Sequence, residues 1–260
     1  MPCFRESIKK VSESSGTNLV LALDIPGRDP QALLRRCIQV LDDVAPYICA
    51  VKINKPLVLS LSLKGGVSKI LDYAHNLGLM TIMDEKLNDV SHINLDVAEH
   101  YFEAGFDALI ANPFVGWDGG LNSIFSLAKR TCKGVLLLVY MSHGGAAEGY
   151  GQTVIDPETG EAKPQYVIFA EEALAWNADG AIVGATRPDN VRAVRNILRG
   201  RIPIYSPGVI AQGGDPSVAV SAGANYIIVG RAIYESVSPR DSAFSLRERI
   251  AKISRSDRNI

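Results

Sequence analysis

Short apolar runs alternate with longer amphipathic stretches along almost the whole chain. LVLALD (19–24), ICAVKI (48–53), LMTIMDEK (79–86), DALIAN (107–112), KGVLLLVYMS (133–142), DGAIV (179–183), IPIY (202–205) and NYIIV (225–229) are dense in β-formers and bounded by glycine, proline or polar residues, as buried strands are. Between them the spacing predicts helices over 30–43, 62–77, 93–104, 118–131, 166–177, 188–199, 216–222 and 240–254. Asp29 followed by Pro30 reads as a helix start, and Gly78 and Gly105 as helix stops. The remaining segment, 144–165, is irregular, with a tight DPETG turn at its centre that suits a small hairpin. The tail SRSDRNI is polar and is expected to fray.

Eight strand–helix units in strict alternation require a parallel sheet, because each crossover carries a helix. Eight such units in 260 residues fit a closed α/β barrel, the (β/α)8 or TIM fold, better than an open doubly wound sheet, and no GxGxxG follows the first strand. No linker or shift in composition divides the chain. A single barrel domain over 1–260 is therefore expected, with 144–165 inserted after the fifth strand.

Composition narrows the function. Lysine plus arginine (27) nearly balance aspartate plus glutamate (28), and a net charge of −1 argues against nonspecific nucleic-acid binding. Cys3, Cys37, Cys49 and Cys132 are widely spaced, with no CxxC pair, so buried, reduced thiols are expected rather than a zinc site or disulfide framework. No histidine grouping suggests a metal site. The polar start lacks a signal-peptide core and no apolar run reaches the ~18 residues of a membrane span, so a cytoplasmic protein with no membrane partner is expected.

Barrel chemistry collects at the C-terminal strand ends. Those ends carry Asp24, Lys52, Asp84 with Lys86, Asn112, Ser142, Gly184, SPGV (206–209) and Gly230 with Arg231. Asp84 and Lys86, two apart on a strand, face the same side, and Asp89 lies just beyond. Gathered with Lys52, they would alternate charge, each ammonium keeping its carboxylates ionised. A solvated turn with incidental ion pairs is the competing reading. SPGVIAQGGDP (206–216) and VGRAIY (229–234) follow the seventh and eighth strands, where these barrels commonly bind phosphate. Their glycines would let backbone N–H groups approach an anion, and Arg231 would supply forked donors. His143 stands at the mouth of the fifth strand, while His75 and His100 fall in helices.

In order, LALD, VKINKPLV (51–58), the D-x-K-x-x-D of Asp84, Lys86 and Asp89, MSH (141–143), SPGVIAQGGDP and VGR give a chain that resembles the orotidine 5′-phosphate decarboxylase family over nearly its whole length. D-x-K-x-x-D alone also occurs in sister decarboxylases and aldolases that use Mg2+ on sugar phosphates. The resemblance implies decarboxylation of orotidine 5′-phosphate to UMP without metal or cofactor. It assigns Lys52, Asp84, Lys86 and Asp89 to a charged tetrad in which Lys86 protonates C6. It also implies a homodimer in which Asp89 enters the partner's site. Asp24 would bind the ribose, Ser142 the pyrimidine edge, and Pro207, Gly208, Gln212, Gly230 and Arg231 the phosphate region, Gln212 also reaching the base. Asn54 and Lys55 stand where the family commonly has glycine and an aromatic residue. Ile93 replaces a hydroxyl residue that often touches ribose across the dimer, and MSHGG replaces MSHPG. The 144–165 segment lies where the family closes its pocket, so a lid and a surface decoration are both open readings. A noncatalytic nucleotide-binding barrel is the rival of another class.

Overall fold

The apolar runs become β1 (Leu19–Ala22), β2 (Ala50–Asn54), β3 (Met80–Leu87), β4 (Ala108–Ala111), β5 (Gly134–Tyr140), β6 (Thr153–Ile155), β7 (Ala162–Pro164), β8 (Gly180–Val183), β9 (Ile204–Ser206) and β10 (Tyr226–Val229) in a computed structural model that describes residues 3–156 and 159–256. Eight of these pair in parallel and close into a barrel in the order β1-β10-β9-β8-β5-β4-β3-β2, while β6 and β7 form a separate antiparallel hairpin. The (β/α)8 barrel expected from the alternation is the observed fold. Its parallel strands are buried on both faces, which explains why they read as nearly unbroken apolar runs.

The helices are α1 (Phe4–Ser15), α2 (Pro30–Val44), α3 (Lys55–Leu61), α4 (Ser68–Asn76), α5 (Ser91–Glu103), α6 (Asn122–Thr131), α7 (Ala146–Gly149), α8 (Gln165–Ala175), α9 (Pro188–Leu198), α10 (Pro216–Ser221), α11 (Arg231–Tyr234) and α12 (Pro239–Ser256). Asp29 caps α2, accepting from the N–H groups of Gln31 at 2.9 Å and Ala32 at 3.3 Å, with Pro30 at the first helical position. Gly78 and Gly105 take positive φ after α4 and α5, as helix stops do.

Two local expectations are corrected, and one helix lies where the sequence reading named no element. The polar N-terminus contains α1, whose Phe4 and Ile8 are buried against the base of the barrel. Phe4 fills the space above Gly134, where an added Cβ would lie 2.5 Å from its ring. The helix expected from 62 begins at Lys55, because Asn54 accepts from the Leu57 N–H at 3.0 Å and Pro56 sits in the first turn; a π-helical stretch, Ser62–Val67, then joins α3 to α4. The helix expected from 118 begins at Asn122, since Asp118 and Gly119 have non-helical backbone angles.

The cysteines divide into two kinds. Cys37 and Cys49 are buried, and burial pushes each thiol up to about 12. Cys3 and Cys132 are not buried as expected: they are half-buried, with sulfurs 2.7 Å apart where the start of α1 meets the end of α6.

Residues 144–165 hold α7 and the β6–β7 hairpin. Asp156 closes the turn by accepting from the N–H groups of Thr159 at 3.1 Å and Gly160 at 2.8 Å. The centre of that turn, 157–158, and the tail at 257–260 lie outside the described residues. Tyr150 anchors the segment among Phe114, Phe169 and Tyr140, with ring centroids 5.4, 6.1 and 6.0 Å away. No helix among the described residues is long and apolar enough to cross a membrane.

Candidate active site

The C-terminal strand ends open on a cavity of about 300 Å³, within the range of small-molecule pockets. Asp24, Lys52, Asp84 and Lys86, at the ends of β1, β2 and β3, line it together with Ser142, Pro207, Gly208, Gln212, Gly230 and Arg231 from the loops after β5, β9 and β10. Ten of the eleven site residues singled out in the sequence therefore line one hollow. Asp89 does not: it is exposed at the start of α5, outside its own chain's cavity.

Lys52 is carried by β2 and is only 5% exposed. Its Nζ stands 2.6 Å from Asp84 Oδ2 and 3.5 Å from Asp24 Oδ1. Burial disfavours its ammonium, but the two carboxylates outweigh that penalty and hold its pKa above the ordinary lysine value. Asp84 Oδ1 accepts from the Lys86 ammonium. Burial pushes the Asp84 carboxyl up; Lys52 and Lys86 overcome this and hold it at about 2. The carboxylate is therefore ionised across the neutral range, with one ammonium on each oxygen. Asp24 Oδ1 has no hydrogen-bond partner among the described residues apart from its long approach to Lys52, so it remains an acceptor at the cavity wall.

Asp84 and Lys86 do not meet through regular strand geometry. β3 pairs with β4 at Met83↔Leu109 and next at Leu87↔Ala111, so four steps of β3 oppose two of β4. Within this bulge Lys86 has φ +58, unusual for a residue with a Cβ. Asp89 sits just past the bulge. Its carboxylate accepts from the Val90 N–H at 2.7 Å, and its backbone is held by Asn94, fully buried in α5.

The rest of the lining is built from tight turns. Gly208 has φ +90, and a Cβ there would lie 2.6 Å from the Ser142 Cβ. Only glycine meets both demands without strain. The loop after β9 closes on itself through Gly214 N–H to Gly208 O at 3.1 Å and Ile210 N–H to Gly214 O at 2.7 Å. It ends at Asp215, which caps α10 and pairs with Arg249 at 2.7 Å. Ser142 is fixed from behind, its carbonyl accepting from Thr186 Oγ1 at 2.9 Å.

Sequence reasoning left Tyr234 aside, although it lines the cavity and its hydroxyl donates to the Asp24 carbonyl at 3.3 Å. No spacing signals a contact between residues 210 positions apart. His143 lines the cavity, whereas His75 braces the structure through Asp107 at 3.0 Å. None of the described residues of 144–165 lines the cavity.

A closed parallel barrel with buried charge at its mouth and glycine turns facing it defines a (β/α)8 enzyme scaffold built to hold an anionic small molecule. Comparison with known proteins gives the family. The chain belongs to the orotidine 5′-phosphate decarboxylase / HUMPS family, whose model matches residues 17–245. It is 37% identical over 237 residues to the orotidine 5′-phosphate decarboxylase of Thermococcus kodakarensis, covering 91% of this chain and 98% of that protein. It is 36% identical to that of Methanosarcina barkeri over 225 residues, 86% of this chain and 90% of the relative. The crystal structure of orotidine 5′-monophosphate decarboxylase from Methanocaldococcus jannaschii with the inhibitor BMP superposes with a TM-score of 0.75 at 26% identity, covering 90% of this chain and 98% of that one.

Proposed function

We propose that the protein is a decarboxylase that converts orotidine 5′-phosphate to UMP and CO2. The observation that carries this reading is the ammonium–carboxylate–ammonium row of Lys52, Asp84 and Lys86 in the same hollow that is lined by the Gly208–Gln212 loop, Gly230 and Arg231. The names and identity levels of the curated relatives support the same substrate.

Loss of CO2 from C6 leaves an electron pair on a carbon with no neighbouring carbonyl to receive it. Fixed charge and exclusion of water must lower that barrier. In the proposed reaction the substrate carboxylate lies beside the ionised Asp84. The C6–carboxylate bond breaks, CO2 departs, and the pair at C6 is stabilised by the Lys86 ammonium. Lys86 then transfers a proton to C6, giving UMP and a neutral amine that regains its proton from solvent. Lys52 holds Asp84 and Asp24 in place, and Asp24 accepts from a ribose hydroxyl. Ser142 and Gln212 bond the pyrimidine edge. Gln212, Gly230 and Arg231, with the backbone at Pro207 and Gly208, hold the phosphate. Binding energy from that remote phosphate orders the loops and closes the site. No metal or organic cofactor enters these steps.

The exposed position of Asp89 supports a homodimer in which this carboxylate completes the partner's site. Val90 and Ile93, on the same exposed turn, are half-exposed apolar residues suited to being covered there. Pyrimidine-nucleotide synthesis in the cytoplasm is the setting this reading implies.

Loss of orotidylate absorbance, followed with and without EDTA, tests the proposal. Turnover unaffected by chelation is the expected result. UMP binding without turnover would reduce the protein to a nucleotide-binding barrel. Chelator-sensitive turnover of a sugar phosphate in place of orotidylate would move it to the other branch of the family.

A further inference from the structure

The bulge that brings Lys86 to Asp84 has to be held in place. In a regular strand the side chains of residues i and i+2 stand roughly 7 Å apart on one face. Here Lys86 adopts a left-handed backbone, which sterics disfavour for any residue with a Cβ, so the local chain would relax if it were free. The residue between the two site groups, Glu85, faces the helices α3 and α5. It touches no part of the cavity. Its side chain is 11% exposed and both oxygens are engaged: Oε1 by Lys55 Nζ at 2.5 Å and Oε2 by the Tyr101 hydroxyl at 2.6 Å.

These two partners come from different elements. Lys55 is the first residue of α3, directly after the strand that carries Lys52. Tyr101 lies in α5, which follows the bulge, and its ring packs edge-on against Phe106 at 5.7 Å. The segment Asp84–Glu85–Lys86 is thereby tied from behind to helices on both sides. A carboxylate so nearly buried demands paired donors, and it has one for each oxygen.

The geometry points to Glu85, clamped by Lys55 and Tyr101, as a positioning residue that holds the β3 bulge and thereby sets where the Lys86 ammonium meets Asp84 and the reacting carbon. The last part of this inference rests on the decarboxylase reading. A displacement of about 1 Å at a reacting group costs on the order of 100-fold in rate. The phosphate and base contacts sit on other strands, so binding is insulated from the clamp.

The test uses the full-length protein with Glu85→Ala, Glu85→Gln and Tyr101→Phe. Glu85→Ala is expected to lower kcat by roughly 10- to 100-fold while KM and UMP affinity stay within about twofold of wild type. Tyr101→Phe removes one hydroxyl and keeps the packed ring, so it folds even where Glu85→Ala does not, and it is expected to lower kcat by a smaller factor with the same unchanged KM. Glu85→Gln keeps one acceptor oxygen, without charge, and puts an amide N–H donor where the other oxygen stood, so it is expected to lie between. Crystal structures of wild type and variant supply a second readout, in which Lys86 leaves Asp84 and its φ turns negative. A kcat within about twofold of wild type in both Glu85→Ala and Tyr101→Phe, or Lys86 unmoved in the variant crystal, overturns the inference. A wild-type protein that does not decarboxylate orotidylate removes the functional reading instead, and the position of Lys86 in the variant crystal still decides the clamp.

Discussion

Lys52 Nζ lies 2.6 Å from one carboxylate oxygen of Asp84, and this buried pair is the electrostatic keystone of the cavity, since the second oxygen of the same carboxylate takes Lys86. The result is a carboxyl held at about 2 against an ordinary 3.8. A group whose pKa is depressed in the folded state stabilises that state above its unfolded pKa, and the contribution is lost as pH falls through the folded value. Asp84 is therefore expected to contribute about 2 kcal/mol above pH ~4, disappearing as pH falls through ~2. Urea midpoints of wild type and Asp84→Asn at pH 6 and near pH 2 check this. The gap between the two proteins should narrow sharply on acidification, and an equal gap at both pH values would refute it.

Lys86→Ala and Arg231→Ala are expected to separate chemistry from binding. Removing the proposed proton donor should lower turnover by at least about 1,000-fold and leave UMP affinity within a few-fold of wild type. Removing the forked cation should raise KM and the Kd for UMP by roughly 10- to 100-fold, with little change in affinity for the unphosphorylated nucleoside. Absorbance kinetics and titration calorimetry read both. Near-normal turnover in Lys86→Ala would end its assignment as donor.

Gly208→Ala places a Cβ 2.6 Å from that of Ser142 at φ +90, where an L-residue is strained in any case. The loop after β9 must shift, taking Ser142 or Gln212 with it. The expected cost is roughly 1–3 kcal/mol of stability and at least tenfold in UMP affinity. Unchanged thermal unfolding and UMP titration would show that the close approach carries no such constraint.

The proposed dimer with shared sites makes a mixing prediction. Lys86→Ala and Asp89→Asn should each be nearly inactive alone. If Asp89 serves the partner's cavity, a heterodimer of the two variants contains one site with both wild-type groups. Mixing with subunit exchange should then restore up to about a quarter of wild-type activity by symmetry. No recovery in a mixture shown by mass spectrometry to contain heterodimers would place Asp89 in its own chain's site or outside the chemistry.

The chain's own periodicity determined the barrel. Eight apolar runs separated by amphipathic helices leave a parallel closed sheet as the economical way to bury every strand, and the strand ends then name most of the cavity in advance. Helix starts are legible where a capping residue precedes proline, as at Asp29; the same signal stands at Asn54, ahead of Pro56, and Phe4, Ile8 and Val11 mark α1 with helical spacing. The bulge at Lys86, the anchoring of Glu85 by Lys55 and Tyr101, the contact of Tyr234 with Asp24, and the meeting of Cys3 with Cys132 were decided only by the tertiary structure. Local sequence encodes which face a residue presents. Which distant side chain fills the space opposite that face depends on how the strands close into a barrel and how the helices then settle around it.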